Sequence, residues 1–212
     1  MSDVKTIGIL GAGKLGIVLS QLALKAGYKV CIAGSGDPKK ITLSVETLAP
    51  GAVAATSEAV AKVADIIILA FPLSKFRQIS SRALSHKLVI DATNHWWEVD
   101  GPRDDFLRSD ESSSEAIQEY LSNSRVIKAF NHMGYHDLHD ETRPAGVLGR
   151  KAIAIAGDKP GDIKIVSRII DEFGFDPVYI GELADGRNLE PGGKVFGASV
   201  DAKTLKMLLN KP

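Results

Sequence analysis

The sequence predicts an α/β protein built on a doubly wound, mostly parallel sheet, with a small C-terminal α/β part. Three observations predict it. Apolar runs of strand length alternate with stretches of helical spacing along the chain. The runs are apolar throughout, as strands covered on both faces must be. The first run passes through a glycine-rich turn straight into a helix-patterned stretch, which is how a βαβ unit opens.

In chain order, Thr6–Leu10 reads as a buried strand. Ile17–Ala26 has helical spacing and stops at Gly27, placed as a C′ glycine. Tyr28–Ala33 is a second strand. Asp37 before Pro38 is a cap followed by a first-turn proline, so a helix should run to about Leu48. Ala52–Ala55 is a short strand and Ser57–Val63 a short helix. Asp65–Phe71 is a fully buried strand, Leu73–Leu84 a helix and Lys87–Ala92 a strand. His95–Ser113, rich in charge, Pro, Gly and Ser, reads as a long loop. Ser112 and Glu115 have capping-box spacing before a helix to about Leu121. Arg125–Ala129 is a strand, followed by a polar, histidine-bearing segment to Arg150. Lys151–Ala156 is a strand, Pro160–Phe173 a helix, Pro177–Ile180 a last strand. A loop over Asn188–Gly197 and a helix over Asp201–Leu209 complete the chain. Residues 1–130 are expected to form the nucleotide-binding part, and 131–212 a smaller covering part of the same compact unit.

Composition narrows the function. Lys+Arg and Asp+Glu balance at 26 each in 212 residues, so no global field draws the chain to nucleic acid or an anionic membrane. The single cysteine, Cys31, excludes an intrachain disulfide and fits a reducing compartment. Met1–Thr6 is polar and lacks a signal-peptide pattern. No apolar run reaches the ~20 residues of a membrane span. The expected location is cytoplasmic, with a small-molecule redox acceptor as partner.

The strongest motif is Gly11-Ala12-Gly13-Lys14-Leu15-Gly16. Its place between strand and helix gives each glycine a role: Gly11 for the turn, Gly13 for close approach of a diphosphate, Gly16 for helix–strand packing. The helix N-terminus then offers unpaired N–H groups to the phosphates. Lys14 either stands in solvent or reaches the cofactor. The second strand ends Ile32-Ala33-Gly34-Ser35-Gly36, without the acid that binds both ribose hydroxyls of NAD. Ser35, Lys39 and Lys40 could instead receive a 2′-phosphate, so NADP is preferred over NAD.

Ligands in such sheets sit beyond the strands' carboxyl ends. Ala70-Phe71-Pro72, Asp91-Ala92-Thr93-Asn94 and Ala129-Phe130-Asn131-His132 lie there. The small residues leave room for a nicotinamide ring, and the asparagines can pair with its carboxamide. His132, His136 and His139 are close in sequence, but histidines on a polar loop are usually solvated, and no metal site is expected. Neither a Tyr-x-x-x-Lys pair, a Gly-x-Ser-x-Gly elbow, nor a C-x-x-C or H-E-x-x-H motif occurs.

These strings, with Ile68-Leu69-Ala70-Phe71-Pro72, Val89 to Asn94, and Ser114-Glu115 to Leu121 leading into Arg125-Val126-Ile127-Lys128-Ala129-Phe130-Asn131, resemble the NADPH:coenzyme F420 oxidoreductase family. They also resemble the cytosolic domain of the six-transmembrane ferric reductases. The resemblance implies a Rossmann domain with a small C-terminal subdomain, and points to a homodimer. It implies that Ala12, Gly13, Lys14 and Leu15 bind pyrophosphate and that Ser35 and Lys39 bind the 2′-phosphate. Ala70, Phe71, Pro72, Asn94 and Asn131 would line the nicotinamide half. Gly36 stands where family members often carry Arg, and Asn131 where the archaeal enzymes carry His.

The expected function is an NADP(H)-dependent oxidoreductase that passes a hydride to a flavin or deazaflavin such as coenzyme F420, FMN or FAD. Such a transfer needs no acid–base pair, because the cofactors carry the chemistry. The alternatives are an NADPH-dependent carbonyl or imine reductase, with His132 or Tyr135 as proton donor, and a non-enzymatic NADP(H)-binding redox sensor.

Overall fold

The computed structural model describes residues 4–210; the first three residues of the polar stretch Met1–Thr6 lie outside them. Among the described residues, eight strands form one sheet. They are β1 (Thr6–Leu10), β2 (Lys29–Ala33), β3 (Val53–Ala54), β4 (Ile66–Leu69), β5 (Leu88–Asp91), β6 (Arg125–Ala129), β7 (Ala152–Ala156) and β8 (Asp176–Gly181). Their order is β3-β2-β1-β4-β5-β6-β7-β8. The first six pair in parallel; β7 runs antiparallel to β6, and β8 parallel to β7. The doubly wound, mostly parallel α/β sheet is therefore as the sequence predicts, and residues 131–212 extend that sheet.

Alternate residues of each strand serve opposite faces. Ile66, Ile68, Leu88 and Ile90 join the core under α1 (Lys14–Lys25). Ile67, Leu69 and Val89 join the core under α3 (Ser57–Val63). This two-sided burial is why the strands lack polar alternation. Beyond α2 (Lys39–Leu48), the chain forms α4 (Trp97–Asp100), α5 (Ser113–Tyr120), α6 (Tyr135–Asp140), α7 (Pro160–Glu172) and α8 (Ala202–Leu209). Ser112 Oγ accepts from Glu115 N while Glu115 Oε2 accepts from Ser112 N, the expected capping box of α5. Asp37 Oδ1 accepts from Lys39 N at 2.9 Å, the capping role read for it.

Three local expectations are corrected. The helix expected over 73–84 is a 3₁₀ segment, Leu73–Gln78, followed by turns. Tyr120 Oη donates to Ile79 O at 2.7 Å and Phe76 is fully buried beneath that ring, so tertiary partners take over where helix bonds would continue. The expected loop 95–113 contains α4. Asp100 holds that turn by accepting from Trp96 N and Ser74 N, each at 2.9 Å. The polar segment after β6 contains α6, anchored by fully buried Leu138.

Candidate functional site

The glycines of the first turn divide into two kinds. A Cβ on Gly11 would stand 2.2 Å from Ala70 O, and its φ of +120° disfavours any other residue. A Cβ on Gly16 would stand 1.8 Å from Gly11 O. Both are glycine because protein fills the space. Gly13 is different. Its φ of −81° and ψ of −171° suit any residue, and nothing lies within 4 Å of its absent Cβ. It is the N-cap of α1 and makes no side-chain cap, so the first N–H groups of that helix face outward.

A groove of about 720 Å³ runs from this turn across the sheet edge. Leu10–Gly13, Ala33–Gly36 and Ala70–Pro72 line it, with Ser57 and Lys75 beyond. The structure thus brings together Gly11, Ala12, Gly13, Ser35, Ala70, Phe71 and Pro72, three strand exits that are distant in sequence. Other expected residues stand elsewhere. The Lys14 side chain turns to a second hollow shared with Tyr135, His136 and His139, its Nζ 5.4 Å from the Tyr135 ring centre. Leu15 packs against the core and Gly16 is buried in the helix, so Leu15 can offer a ligand its backbone amide alone. Lys39 is exposed on the first turn of α2 and does not line the groove. Ala129 is fully buried in β6.

Asn94 and Asn131 meet at the exits of β5 and β6. Asn131 Nδ2 donates to Asn94 Oδ1 at 2.9 Å and to Leu189 O at 2.7 Å, while Asn94 Nδ2 donates to Asn131 O at 2.7 Å. Asn131 Oδ1 is buried without a partner. An orphaned amide oxygen costs free energy unless a donor arrives. Phe130, just before it, has a φ of +67°, a left-handed conformation uncommon for a bulky residue. Such strain persists where the surroundings enforce it, and here it turns the chain so that Asn131 faces Asn94.

His132 has a structural post. It is buried, its Nε2 accepts from Ala154 N at 3.0 Å, and burial pushes its pKa down to about 4. The ring is therefore neutral with the proton on Nδ1. A neutral histidine in the fold with an ordinary unfolded value stabilises fully above pH 6.5, and that stability is lost as pH falls toward 4. Urea unfolding should show ΔG falling by up to ~1.4 kcal/mol per pH unit below 6.5. His132→Gln should flatten the decline between pH 6.5 and 5; an unchanged slope would show that another group titrates. His139 pairs with Asp140 on the surface. Among the described residues no three His, Cys, Asp or Glu side chains converge as a metal set.

Three features escaped the sequence reading. Ser57 and Lys75 reach the groove from segments without a motif. A buried ion pair, Asp91 with Lys128, underlies the asparagines. An aspartate ending an apolar strand and a lysine inside the run Val126–Ala129 were its visible signal. Trp96 and Trp97 follow Asn94 within three residues, and the Trp96 ring meets Phe196 edge-on at 5.7 Å.

Comparison with known proteins agrees with this picture. Residues 6–95 match the family described as NADP oxidoreductase, coenzyme F420-dependent. The metalloreductase STEAP3 of Rattus norvegicus is 27% identical over 190 residues, covering 89% of this chain and 36% of that protein. The chain thus spans about a third of that relative's length. A solved structure of a hypothetical protein from Sinorhizobium meliloti is 26% identical, with a TM-score of 0.80, covering 92% of this chain and 95% of that one. A candidate F420-dependent NADP-reductase from an Arthrobacter species is 19% identical with a TM-score of 0.73, covering 98% and 90%. The family resemblance read from the motifs agrees with the match over residues 6–95 to a family of NADP oxidoreductases. No helix among the described residues is long and apolar enough to cross a membrane.

Proposed function

From the match of residues 6–95 to a family of NADP oxidoreductases, we propose that this chain binds NADP(H) along the carboxyl edge of its sheet and passes a hydride to a flavin or deazaflavin. The observation that carries it is Gly13. Gly11 and Gly16 are glycine because neighbouring carbonyls leave no room, whereas at Gly13 the space a side chain would take is open. That open space lies in front of a helix N-terminus, which suits a diphosphate.

When bound, NADPH supplies the hydride; the residues here bind, orient and exclude water. The amides opening α1 hold the diphosphate. The β2 exit carries Ser35 and no acid, which suits a 2′-phosphate. Asn94, half-buried at the β5 exit and held by Asn131, can present its amide to a carboxamide. Phe71 and Pro72 wall the groove beside Ala70. His132 is not poised as a proton donor, because it is buried and neutral and its Nε2 already accepts from Ala154 N, and Tyr135 lines the second hollow with Lys14. That favours a flat hydride acceptor over a carbonyl or imine, whose reduction calls for a proton.

Oxidation of NADPH with F420, FMN, FAD and ferric chelates tests the proposal. Trp96 and Trp97 are the only two tryptophans, so their fluorescence follows binding at the Asn94 end. Turnover with a flavin or deazaflavin is expected. Turnover with carbonyls alone would select the reductase alternative. Tight binding without any reduction would select the sensor. Neither dinucleotide binding would remove the proposal. Lys39→Ala combined with Lys75→Ala should weaken NADPH about tenfold and NADH little, through loss of charge-assisted bonds to the 2′-phosphate. Equal weakening of both would place these lysines on the diphosphate instead.

A further inference from the structure

One row of side chains crosses the sheet near its carboxyl edge: Leu69 of β4, Asp91 of β5, Lys128 of β6 and Ala156 of β7. The row begins and ends apolar, yet its middle is an ion pair with both side chains fully buried. Lys128 Nζ donates to Asp91 Oδ2 at 2.9 Å, to Thr93 O at 2.7 Å and to Ser113 Oγ at 3.0 Å, which uses all three of its protons. Asp91 Oδ1 accepts from Thr93 N at 2.9 Å and Thr93 Oγ1 at 2.7 Å, and Oδ2 also accepts from Ser114 Oγ at 2.6 Å.

A buried ion pair is a poor device for stability alone. Desolvation offsets the attraction, and an apolar pair of similar volume often serves as well or better. An apolar pair cannot, however, grip a backbone carbonyl. Here Thr93 is held at its N–H, its hydroxyl and its carbonyl, one residue before Asn94. Lys128 stands three residues before Asn131. The ion pair and the asparagine pair are thus successive rungs between the same two strand exits.

The geometry points to Asp91 and Lys128 as a positioning pair that sets the spacing of these exits, so that Asn94, the half-buried member of the asparagine pair, is held where a nicotinamide carboxamide binds. This rests on the NADP(H) reading above. It assigns the pair no contact with the dinucleotide; it acts through Thr93 and Asn94.

The test compares two ligands that share the adenosine end. NADP⁺ carries the nicotinamide, whereas adenosine 2′,5′-bisphosphate lacks it. Asp91→Asn with Lys128→Met removes both charges, leaves an amide that can still bond Thr93 and Ser114, and releases Thr93 O. The Kd for NADP⁺ should rise about tenfold in this variant, with the Kd for the bisphosphate unchanged, by calorimetry. Ser113→Ala, which removes one acceptor of Lys128, should act in the same sense about threefold, and carries the comparison if the double variant does not fold. Unchanged affinity for both ligands would overturn the inference, and so would equal weakening of both, which marks a merely structural role. Wild-type protein that binds neither ligand would instead defeat the NADP(H) reading itself.

Discussion

Gly13→Val should fold normally and lose dinucleotide binding. The backbone at Gly13 is extended and no protein atom lies within 4 Å of the added Cβ, so the only cost is a poorer N-cap, about 1 kcal/mol or roughly 3 °C in melting point. The methyl groups would occupy the space in front of the α1 amides, and affinity for NADPH should fall on the order of a hundredfold, ~2.7 kcal/mol. Gly16→Ala is the matched control. Its Cβ would enter the Gly11 carbonyl, so it should destabilise the fold by roughly 3 kcal/mol. Thermal melts of both variants with and without NADPH separate the two effects. A Gly13→Val protein that still gains stability from NADPH would show that the turn is not the site.

Lys128→Met should be among the most destabilising single changes in the chain. It leaves the Asp91 carboxylate fully buried, without its counter-charge, and frees Thr93 O from its donor. Breaking one side of a buried pair costs about 3–5 kcal/mol. In a domain of this size that lowers the melting point by roughly 10 °C. The three remaining bonds to Asp91, from Thr93 N, Thr93 Oγ1 and Ser114 Oγ, place the cost near the lower end. Adding Asp91→Asn removes the stranded charge and should recover much of the loss. If the double variant were less stable than Lys128→Met, the penalty would lie in packing and not in the uncompensated charge. The comparison needs only urea or thermal unfolding, and it is independent of any ligand.

Much of the glycine turn was legible because its determinants are local. The Gly11-Ala12-Gly13 string, the strand before it and the helix after it lie within consecutive residues, and their spacing alone implies the turn. The capping box at Ser112 and the cap at Asp37 were legible for the same reason. Failures came where a distant partner decides the local state. The expected helix after Leu73 ends early because Tyr120, 41 residues on from Ile79, takes a carbonyl from it. The turn at Trp97–Asp100 exists because Asp100 bonds Ser74 as well as Trp96. His132 looked like a solvated loop histidine in a polar segment. It is buried, because Ala154 of a neighbouring strand donates to it.

The sequence alone determined the strand–helix alternation, the parallel sheet that follows from fully apolar strands, and the glycine turn that opens it. Those depend on neighbouring residues and on a period that any stretch displays by itself. Tertiary structure decided which strand exits share a groove, which way Lys14 turns, and that Asn131 keeps one amide oxygen unpaired beside Asn94. It also decided that Asp91 and Lys128 are partners, since that depends on the register of β5 against β6. Register sums packing over the whole sheet, and no single window of sequence contains it.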